Sequence, residues 1–319
     1  MKIIANYTYL PSSKIDVLDL ISAKGNVLDL DASKMVKNTG FNSLARVQNT
    51  STDNFIKLSA EIFLDQYNDS DLRVDNIIVV TQSYEQRLPN ISSTLQGLLK
   101  LPTSTFCVDI VDGCNGFIRA LTIANKISEP GMRTLIVGGD VYSPMTRRAE
   151  LSTDILFGDG YSFTIVEQDS EPFKSKIMTD GTRGDFINAS YRENVLNMNG
   201  VGVFLFTNTE IPKLVKSLDW ELDPGNGLNT YYALHQASKL IVNQLSKKLK
   251  LDNAEVPFFS CSEIGNLGPG SIGAWISTNS SKLDTKANLT CFGYGAGLSW
   301  GVASLQMDLK QNGVQYIDA

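Results

Sequence analysis

Short apolar runs alternate with segments of helical periodicity through the first half of the chain. Four of these runs are rich in β-branched residues: NIIVVT from Asn76, TFCVDIV from Thr105, TLIVGG from Thr134 and SFTIVE from Ser162. Such runs are typical of strands that are covered on both faces. Residues 53–67 and 115–127 place most of their apolar side chains on one face of a helix. The first half therefore predicts an α/β unit in which strands alternate with helices.

The second half contains similar material in a more ambiguous form. VFLFT from Val203 fits either a strand or the start of a helix, whereas VPFFSC from Val256 predicts a strand. Residues 237–249 predict an amphipathic helix, and a further helix is expected to begin at Ser271. NLTCFGYG from Asn288 then leads into LSWGVASLQM, which fits a closing strand.

Both halves contain a strand, a glycine-bearing turn and a helix near their centres, which suggests a duplicated unit. The polar, turn-forming segment QDSEP lies between them. We therefore expect two similar structural halves, residues 1–168 and residues 169–319, that pack into one body.

Composition and charge narrow the class of protein. The 319 residues are 42% hydrophobic and 19% charged, which fits a soluble globular protein with a large core. A net charge of −6 argues against nucleic acid as a partner. No apolar run approaches the roughly 20 residues of a membrane helix, and the N-terminus shows no secretion signal. We therefore expect a cytoplasmic protein that works without a membrane.

The cysteines and the single histidine indicate what kind of site to expect. Cys107, Cys114, Cys261 and Cys291 are widely spaced and form no CxxC pair, so they predict reduced thiols and no metal centre. Cys114 follows a predicted strand and precedes a predicted helix. The N–H groups at a helix N-terminus would favour the nucleophilic thiolate, although most free cysteines are merely small buried residues.

Two further residues occur in similar positions later in the chain. His235 in ALHQAS lies at a predicted strand-to-helix edge, and Asn266 lies among the glycines of EIGNLGPGS. Taken singly, such a histidine is more often structural and such an asparagine is usually a turn former. The order of the three residues along the chain makes a shared site the more probable interpretation.

Five motifs occur in the order found in the ketoacyl-acyl-carrier-protein synthase III family of the thiolase superfamily: DGCNGF, LFGDGYSFTIVE, ALHQAS, EIGNLGPGS and FGYGAGLSWG. The resemblance extends from KNTGF at Lys37 to Trp300 and Gly301. It implies a five-layered αβαβα fold made of two similar halves, and usually a homodimer. In that case the half at 1–168 carries the nucleophile and the half at 169–319 carries the histidine and the asparagine.

The resemblance also implies a reaction and its substrates. Cys114 would accept an acyl group from a thioester of coenzyme A or of acyl carrier protein (ACP). Malonyl-ACP would then lose carbon dioxide and attack the acyl-cysteine, giving a 3-oxoacyl thioester. His235 and Asn266 would stabilise the enolate, and the backbone N–H groups of Cys114 and Ala296 would form an oxyanion hole. No permanently bound cofactor is implied, and the product would serve fatty acid initiation, the synthesis of a specialised lipid or a modified-sugar pathway.

Departures from the family pattern affect the substrate pocket. The pocket residues implied by the resemblance are Leu88, which would reach into the partner subunit, Asn115 and Ser238. Alignment on KMVKNTGF puts Lys34 where the family carries a tryptophan that stacks on the adenine of coenzyme A, and Asn38 where the family carries an arginine. Asn115 is a bulkier residue than usual beside the nucleophile. Ser238 ends the motif HQAS, where HQAN is more common in the family. These departures predict a specialised relative rather than the housekeeping initiation enzyme.

Two alternatives to condensation are compatible with the same residues. In the first, Cys114 passes its acyl group to a hydroxyl or an amine, with His235 as general base. In the second, the chain is a non-catalytic partner of a heterodimeric synthase. Retention of both His235 and Asn266 favours condensation, because enolate stabilisation uses both side chains.

Overall fold

A computed structural model of the chain describes residues 1–24, 29–67, 73–86, 88–253 and 255–319. The strands are β1 (Lys2–Pro11), β2 (Lys14–Asp16), β3 (Ser43–Ala45), β4 (Asn76–Val80), β5 (Phe106–Ile110), β6 (Arg133–Asp140), β7 (Gly160–Glu167), β8 (Lys174–Thr179), β9 (Ile187–Ala189), β10 (Leu196–Met198), β11 (Thr230–Leu234), β12 (Lys286–Gly295) and β13 (Ser299–Ile317). The α-helices are α1 (Val17–Lys24), α2 (Asp29–Thr39), α3 (Thr52–Gln66), α4 (Ile91–Leu98), α5 (Gly116–Ile127), α6 (Ser143–Thr146), α7 (Leu151–Asp154), α8 (Gly200–Lys216), α9 (Lys239–Leu249) and α10 (Ser271–Thr278). Short 3-10 helices cover Gly181–Phe186 and Gly268–Gly270.

The first half of the chain forms a mixed sheet in the order β5-β4-β6-β7-β1. Strands β5, β4 and β6 are parallel, whereas β7 runs antiparallel to both β6 and β1. Each residue of β4 is buried, as the continuous apolar run in the sequence predicts. The parallel strands point their carboxyl ends to one edge of the sheet, and Cys114 follows β5 at that edge.

The second half repeats this topology in the order β11-β12-β13-β8. Strands β11 and β12 are parallel, and β13 runs antiparallel to both β12 and β8. The strands β8, β11, β12 and β13 therefore correspond in order and direction to β1, β4, β6 and β7. The distal part of β13 leaves this arrangement and pairs in parallel with β1, so that hydrogen bonds join the two sheets.

Helices fill the space between the two sheets and cover their outer faces. Helix α5 contacts β4 and β6 of one sheet and β12, β13 and β8 of the other, and α10 likewise contacts β1, β7, β11 and β13. Helices α3 and α4 lie against the first sheet from outside, and α8 and α9 pack together on the second. The fold is therefore the five-layered αβαβα arrangement of the thiolase superfamily.

The apolar faces predicted for the helices form the core between these layers. In α5, Phe117, Ile118, Leu121 and Ala124 are fully buried, whereas Ile127 at the helix end is 37% exposed. Burying an aliphatic or aromatic side chain of this size contributes roughly 1.5–3 kcal/mol. These side chains belong to a cluster that also contains Trp275 of α10 and residues of both sheets. The two halves thus share one core.

Two elements differ from the sequence-based expectations. VFLFT lies wholly within α8, which begins at Gly200, so the helical alternative holds and the strand alternative is wrong. VPFFSC forms no strand. Two of its backbone carbonyls accept hydrogen bonds from side chains instead. Pro257 O accepts from Trp275 Nε1 at 2.9 Å, and Phe258 O accepts from Gln236 Nε2 at 2.8 Å. A proline also removes one of the N–H donors that a ladder would need.

No helix in the described part of the chain combines the length and the apolar character that crossing a membrane would require.

Candidate active site

Cys114 lies in the turn between β5 and α5, two residues before the helix begins. It is one of the residues that line a cavity of about 700 Å³. The strand is held in place by β4, and the helix by its buried contacts with both sheets. Because the strand and the helix are both held by neighbouring elements, the turn holds the thiol at a fixed position relative to the two sheets.

His235 follows β11, the strand that corresponds to β4 in the other half. Its N–H donates to Phe292 O at 2.9 Å, and its C=O accepts from the Tyr294 hydroxyl at 2.8 Å. The Tyr294 ring packs edge-to-face on the imidazole, with 5.2 Å between ring centroids. The strand and these contacts fix the plane of the imidazole, which lines the same cavity.

Asn266 is held by the glycine-rich loop that precedes α10. Its Oδ1 accepts from Gly268 N at 2.8 Å and from Ser271 Oγ at 3.1 Å, and its own N–H donates to Leu156 O at 2.9 Å. Both bonds to the carboxamide use its oxygen, so Nδ2 has no partner among the described residues. Asn266 therefore presents a free amide donor to the cavity that Cys114 and His235 also line.

The electrostatics around Cys114 oppose ionisation of the thiol. Burial raises the pKa of the Cys114 thiol well above its usual value, and the carboxylates of Asp140 and Asp112 act in the same direction. The first N–H of the following helix, that of Gly116, donates to Gly113 O at 2.8 Å rather than to the sulfur. Desolvation and the two nearby carboxylates therefore oppose the stabilisation of the thiolate by the helix N-terminus, which stays a prediction.

The imidazole of His235 is neutral over the ordinary pH range. Burial lowers the pKa of His235 to about 3. Its Nδ1 is buried and has no hydrogen-bond partner among the described residues. A proton on Nδ1 would be a buried donor without an acceptor, so the tautomer with the proton on Nε2 is favoured. In that tautomer His235 is a hydrogen-bond donor towards the cavity.

The backbone N–H groups of Cys114 and Ala296 belong to two adjacent loops that line the cavity at the nucleophile. Neither donates a hydrogen bond to another residue in the part of the chain that the structure describes. Gly295 brings the two loops together, since a Cβ at that position would lie 3.0 Å from Cys114 Cβ and 3.2 Å from Cys114 N. A pair of free N–H groups beside a thiol is the arrangement that stabilises an oxyanion.

The three residues expected in the substrate pocket occupy different places. Ser238 lines the cavity, but its hydroxyl also caps α9 by accepting from Ile241 N at 3.3 Å. Asn115 is fully buried and lies behind the nucleophile rather than in the cavity, where its Nδ2 donates to Ser299 Oγ at 2.6 Å. Leu88 is 82% exposed and is not part of the cavity lining within the described chain.

The residues at the positions of the missing tryptophan and arginine also differ from each other. Asn38 lines the cavity, together with Thr39 at the end of α2. Lys34 lies on the outer face of α2 and forms an exposed ion pair with Asp31 at 3.5 Å. The cavity entrance on this side is therefore formed by uncharged polar side chains.

Sequence reasoning missed the apolar wall of the cavity. It consists mainly of Tyr142 and Met145 after β6, Leu156 and Phe157 before β7, Ile187 of β9, Leu196 and Met198 of β10, and Phe204 of α8. Tyr142 and Phe157 pack with their ring centroids 4.5 Å apart. Tyr142 lies two residues after the end of β6, and a residue that follows a parallel strand near Cys114 is placed at the same sheet edge. That position was the signal available in the sequence.

Comparison with known proteins matches both halves of the site. Residues 108–181 match the family model described as 3-oxoacyl-[acyl-carrier-protein (ACP)] synthase III, and residues 229–307 match the model of its C-terminal part. The first match contains Cys114, and the second contains His235, Asn266 and Ala296. The chain belongs to the 3-oxoacyl-[acyl-carrier-protein] synthase III family.

Relatives of this family match the chain over nearly its full length. The β-ketoacyl-[acyl-carrier-protein] synthase III of Lactococcus lactis is 27% identical, over 94% of this chain and 97% of its own. The structure of a 3-oxoacyl-(acyl-carrier protein) synthase from Burkholderia xenovorans LB400 is similar with a TM-score of 0.85 at 25% identity, over 99% and 97% of the two chains. A priming β-ketosynthase of the R1128 polyketide pathway has the same fold, with a TM-score of 0.81 at 18% identity over 96% of each chain.

Proposed function

We propose that this protein is a condensing enzyme that joins an acyl group to a malonyl thioester. The observation that carries the proposal is the common cavity lined by Cys114, His235 and Asn266. The cavity offers one soft nucleophile and two side-chain donors, which match the two steps of a decarboxylative condensation. The names of the most similar relatives support the same reaction class.

In the first step, Cys114 exchanges with an acyl thioester of coenzyme A or of ACP. The sulfur forms a bond to the acyl carbon, the bond to the leaving thiol breaks, and the thiol proton of Cys114 ends on the leaving sulfur. The N–H groups of Cys114 and Ala296 stabilise the oxyanion between these events. Each donor of this kind contributes roughly 3 kcal/mol to the transition state.

In the second step, a malonyl thioester on ACP loses carbon dioxide. The electron pair of the broken C–C bond moves onto the thioester as an enolate, whose oxygen accepts from His235 Nε2–H and Asn266 Nδ2–H. The enolate carbon then attacks the acyl carbon on Cys114, and the sulfur leaves as a thiolate that takes up a proton from solvent as the 3-oxoacyl thioester forms. A neutral imidazole suits this step because its Nε2–H can donate a hydrogen bond to the enolate oxygen.

The acyl group would occupy the apolar wall of the cavity around Tyr142, Met145 and Phe157. Together with Leu196, these side chains form a small hydrophobic cluster that is separate from the larger core clusters. An alkyl or branched acyl chain gains burial there. Together with the unusual residues at Asn38, Asn115 and Ser238, this supports a specialised member of the family acting in fatty acid or related lipid synthesis.

We also propose that the enzyme is a homodimer that forms along β5. This strand lies at the edge of the sheet and pairs only with β4 among the described strands. Phe106 on the strand is 50% exposed, Val111 after it 70% and Leu88 on the neighbouring loop 82%. An unpaired edge beside exposed apolar side chains is typical of an interface. In a dimer, Leu88 would be free to reach the partner subunit.

The test of the function separates its two steps. The variants His235→Ala and Asn266→Ala should each retain acylation of Cys114. The rate at which they release carbon dioxide from malonyl-ACP should fall at least tenfold. Acylation is followed by protein mass, and decarboxylation by labelled carbon dioxide. If both variants lose acylation before decarboxylation, the assignment of roles is wrong. If the wild type releases no carbon dioxide but acylates alcohols or amines, acyl transfer replaces condensation.

A further inference from the structure

The residue that follows the nucleophile is anchored in the opposite sheet. Asn115 is fully buried, and its Nδ2 donates to Ser299 Oγ at 2.6 Å. Its Oδ1 has no hydrogen-bond partner among the described residues. The bond to Ser299 is therefore the one polar contact that the described chain provides for this buried carboxamide.

The second sheet has an opening that accommodates Asn115. Gly293 of β12 and Gly301 of β13 are paired directly across the two strands. A Cβ on Gly293 would lie 2.7 Å from Asn115 Oδ1, and one on Gly301 would lie 3.2 Å from the same atom. The carboxamide therefore occupies space that only a pair of glycines leaves free.

An ion pair reinforces the same contact from the first turn of α5. Arg119 NH2 also donates to Ser299 Oγ, at 2.8 Å, and to Thr179 Oγ1 at 3.2 Å. Arg119 Nε forms a salt bridge with Asp112 Oδ2, two residues before the nucleophile. The residues on either side of Cys114, Asp112 and Asn115, are thus both tied to the hydroxyl of Ser299.

The network joins the two loops that carry the free N–H groups. One loop holds Cys114 between Asp112 and Asn115. The other holds Ala296, three residues before Ser299. The loops also touch directly, since a Cβ on Gly113 would lie 3.3 Å from Ala296 Cβ. A shift of Ser299 relative to Asn115 would therefore change the distance between the N–H of Cys114 and the N–H of Ala296.

We propose that Asn115, Arg119 and Ser299 are positioning residues that set the geometry of the oxyanion hole formed by the backbone N–H groups of Cys114 and Ala296. This inference rests on the proposed function, because an oxyanion forms only if Cys114 exchanges acyl groups. The network acts on acyl transfer to and from Cys114. It does not act on decarboxylation, which uses His235 and Asn266.

The expected size of the effect follows from the geometry that catalysis requires. Misplacing a catalytic group by about 1 Å reduces the rate on the order of 100-fold. Removing the Ser299 hydroxyl deletes the acceptor that Asn115 and Arg119 share, while the backbone N–H groups remain. Ser299→Ala should therefore slow acylation of Cys114 by roughly 10- to 100-fold. Ser299→Thr, which keeps the hydroxyl on a strand that tolerates β-branching, should restore most of the rate.

Ser304→Ala is the matched control. Ser304 lies on the same strand as Ser299, and its hydroxyl bonds to Thr290 Oγ1 across β12 at 2.9 Å, away from the cavity. The two variants make the same chemical change in the same pair of strands. Ser304→Ala should acylate at the wild-type rate. Urea unfolding of each variant checks that it remains folded under the assay conditions.

The experiment measures acylation by a short-chain acyl-CoA and by acyl-ACP at several donor concentrations, with carbon dioxide release from malonyl-ACP as a second readout. The expected result for Ser299→Ala is a lower maximal acylation rate, a donor KM within about twofold of wild type, and unchanged decarboxylation. Acylation of Ser299→Ala at the rate of Ser304→Ala overturns the inference, as does an equal loss of acylation and decarboxylation. A wild type that is not acylated at all overturns the proposed function instead.

Discussion

At the scale of single residues, position and environment make different contributions to the site. The positions of Cys114, His235 and Asn266 could be predicted, because motifs and strand ends are visible in a sequence. Their environments could not, since burial and the neighbouring Asp140 depend on the assembled sheets. Asp140 is fully buried, and burial raises the pKa of its carboxyl to about 6. It accepts from Thr81 Oγ1 and Gln82 N at 2.7 Å, which holds it near the thiol.

The raised thiol pKa has a measurable consequence. Because burial and the nearby carboxylates raise the pKa of the Cys114 thiol, the thiolate fraction should rise about tenfold per pH unit through the neutral range and beyond pH 9. Alkylation of Cys114 by iodoacetamide, followed by peptide mass spectrometry from pH 6 to 10, should show this rise without a plateau. A plateau below pH 8.5 would show that the site stabilises the thiolate after all.

At the scale of elements, apolar runs predicted most strands and helices correctly, because most of these runs are buried in the sheets, although TFCVDIV forms the partly exposed edge strand β5. VPFFSC was the exception. Its composition favours a strand, but the buried side chain of Gln236 competes for its backbone. Gln236 Nε2 donates to Leu234 O at 2.7 Å and to Phe258 O at 2.8 Å, and its Oε1 accepts from Ser260 N at 3.0 Å. A contact between residues 22 and 24 positions apart cannot be read from local periodicity.

Gln236→Leu should therefore destabilise the protein strongly. It removes the bonds to the buried Leu234 C=O and to the partly buried Phe258 C=O and Ser260 N–H, and each such loss costs about 1–3 kcal/mol. We expect the free energy of unfolding in urea to fall by about 2–4 kcal/mol. Gln306→Leu is the control, because Gln306 makes an exposed bond to Glu171 Oε2 at 2.9 Å. Equal stability of the two variants would mean that Gln236 does not hold this segment.

At the scale of the whole molecule, the sequence suggested a duplication that only the topology makes clear. The two sheets share strand order and direction, although their sequences have diverged too far to show it. The rejoining of β13 with β1 was not foreseeable, since it depends on the way the halves pack. The boundary between residues 168 and 169 falls in the connection between β7 and β8 and stays a proposal.

The exposed edge strand β5 leads us to expect a dimer. Light scattering should give about twice the chain mass of 35.0 kDa for the wild type. Phe106→Lys should shift the protein towards the monomer, because it places a charge in the apolar edge surface. Met178→Lys is the matched control, since Met178 is 43% exposed on β8, the edge strand of the other sheet. A monomeric wild type would contradict the dimer and the role of Leu88 in a partner's pocket.

The most direct test of the central claim is the intact mass of the protein after incubation with a panel of acyl-CoA and acyl-ACP thioesters. We expect at least one donor to add one acyl group to the wild type, mapped to the peptide that contains Cys114, and none to add mass to Cys114→Ala. Addition of malonyl-ACP should then remove the adduct as a 3-oxoacyl product forms. A wild type that gains no mass with any donor, or a Cys114→Ala variant that gains the same mass, would contradict the account.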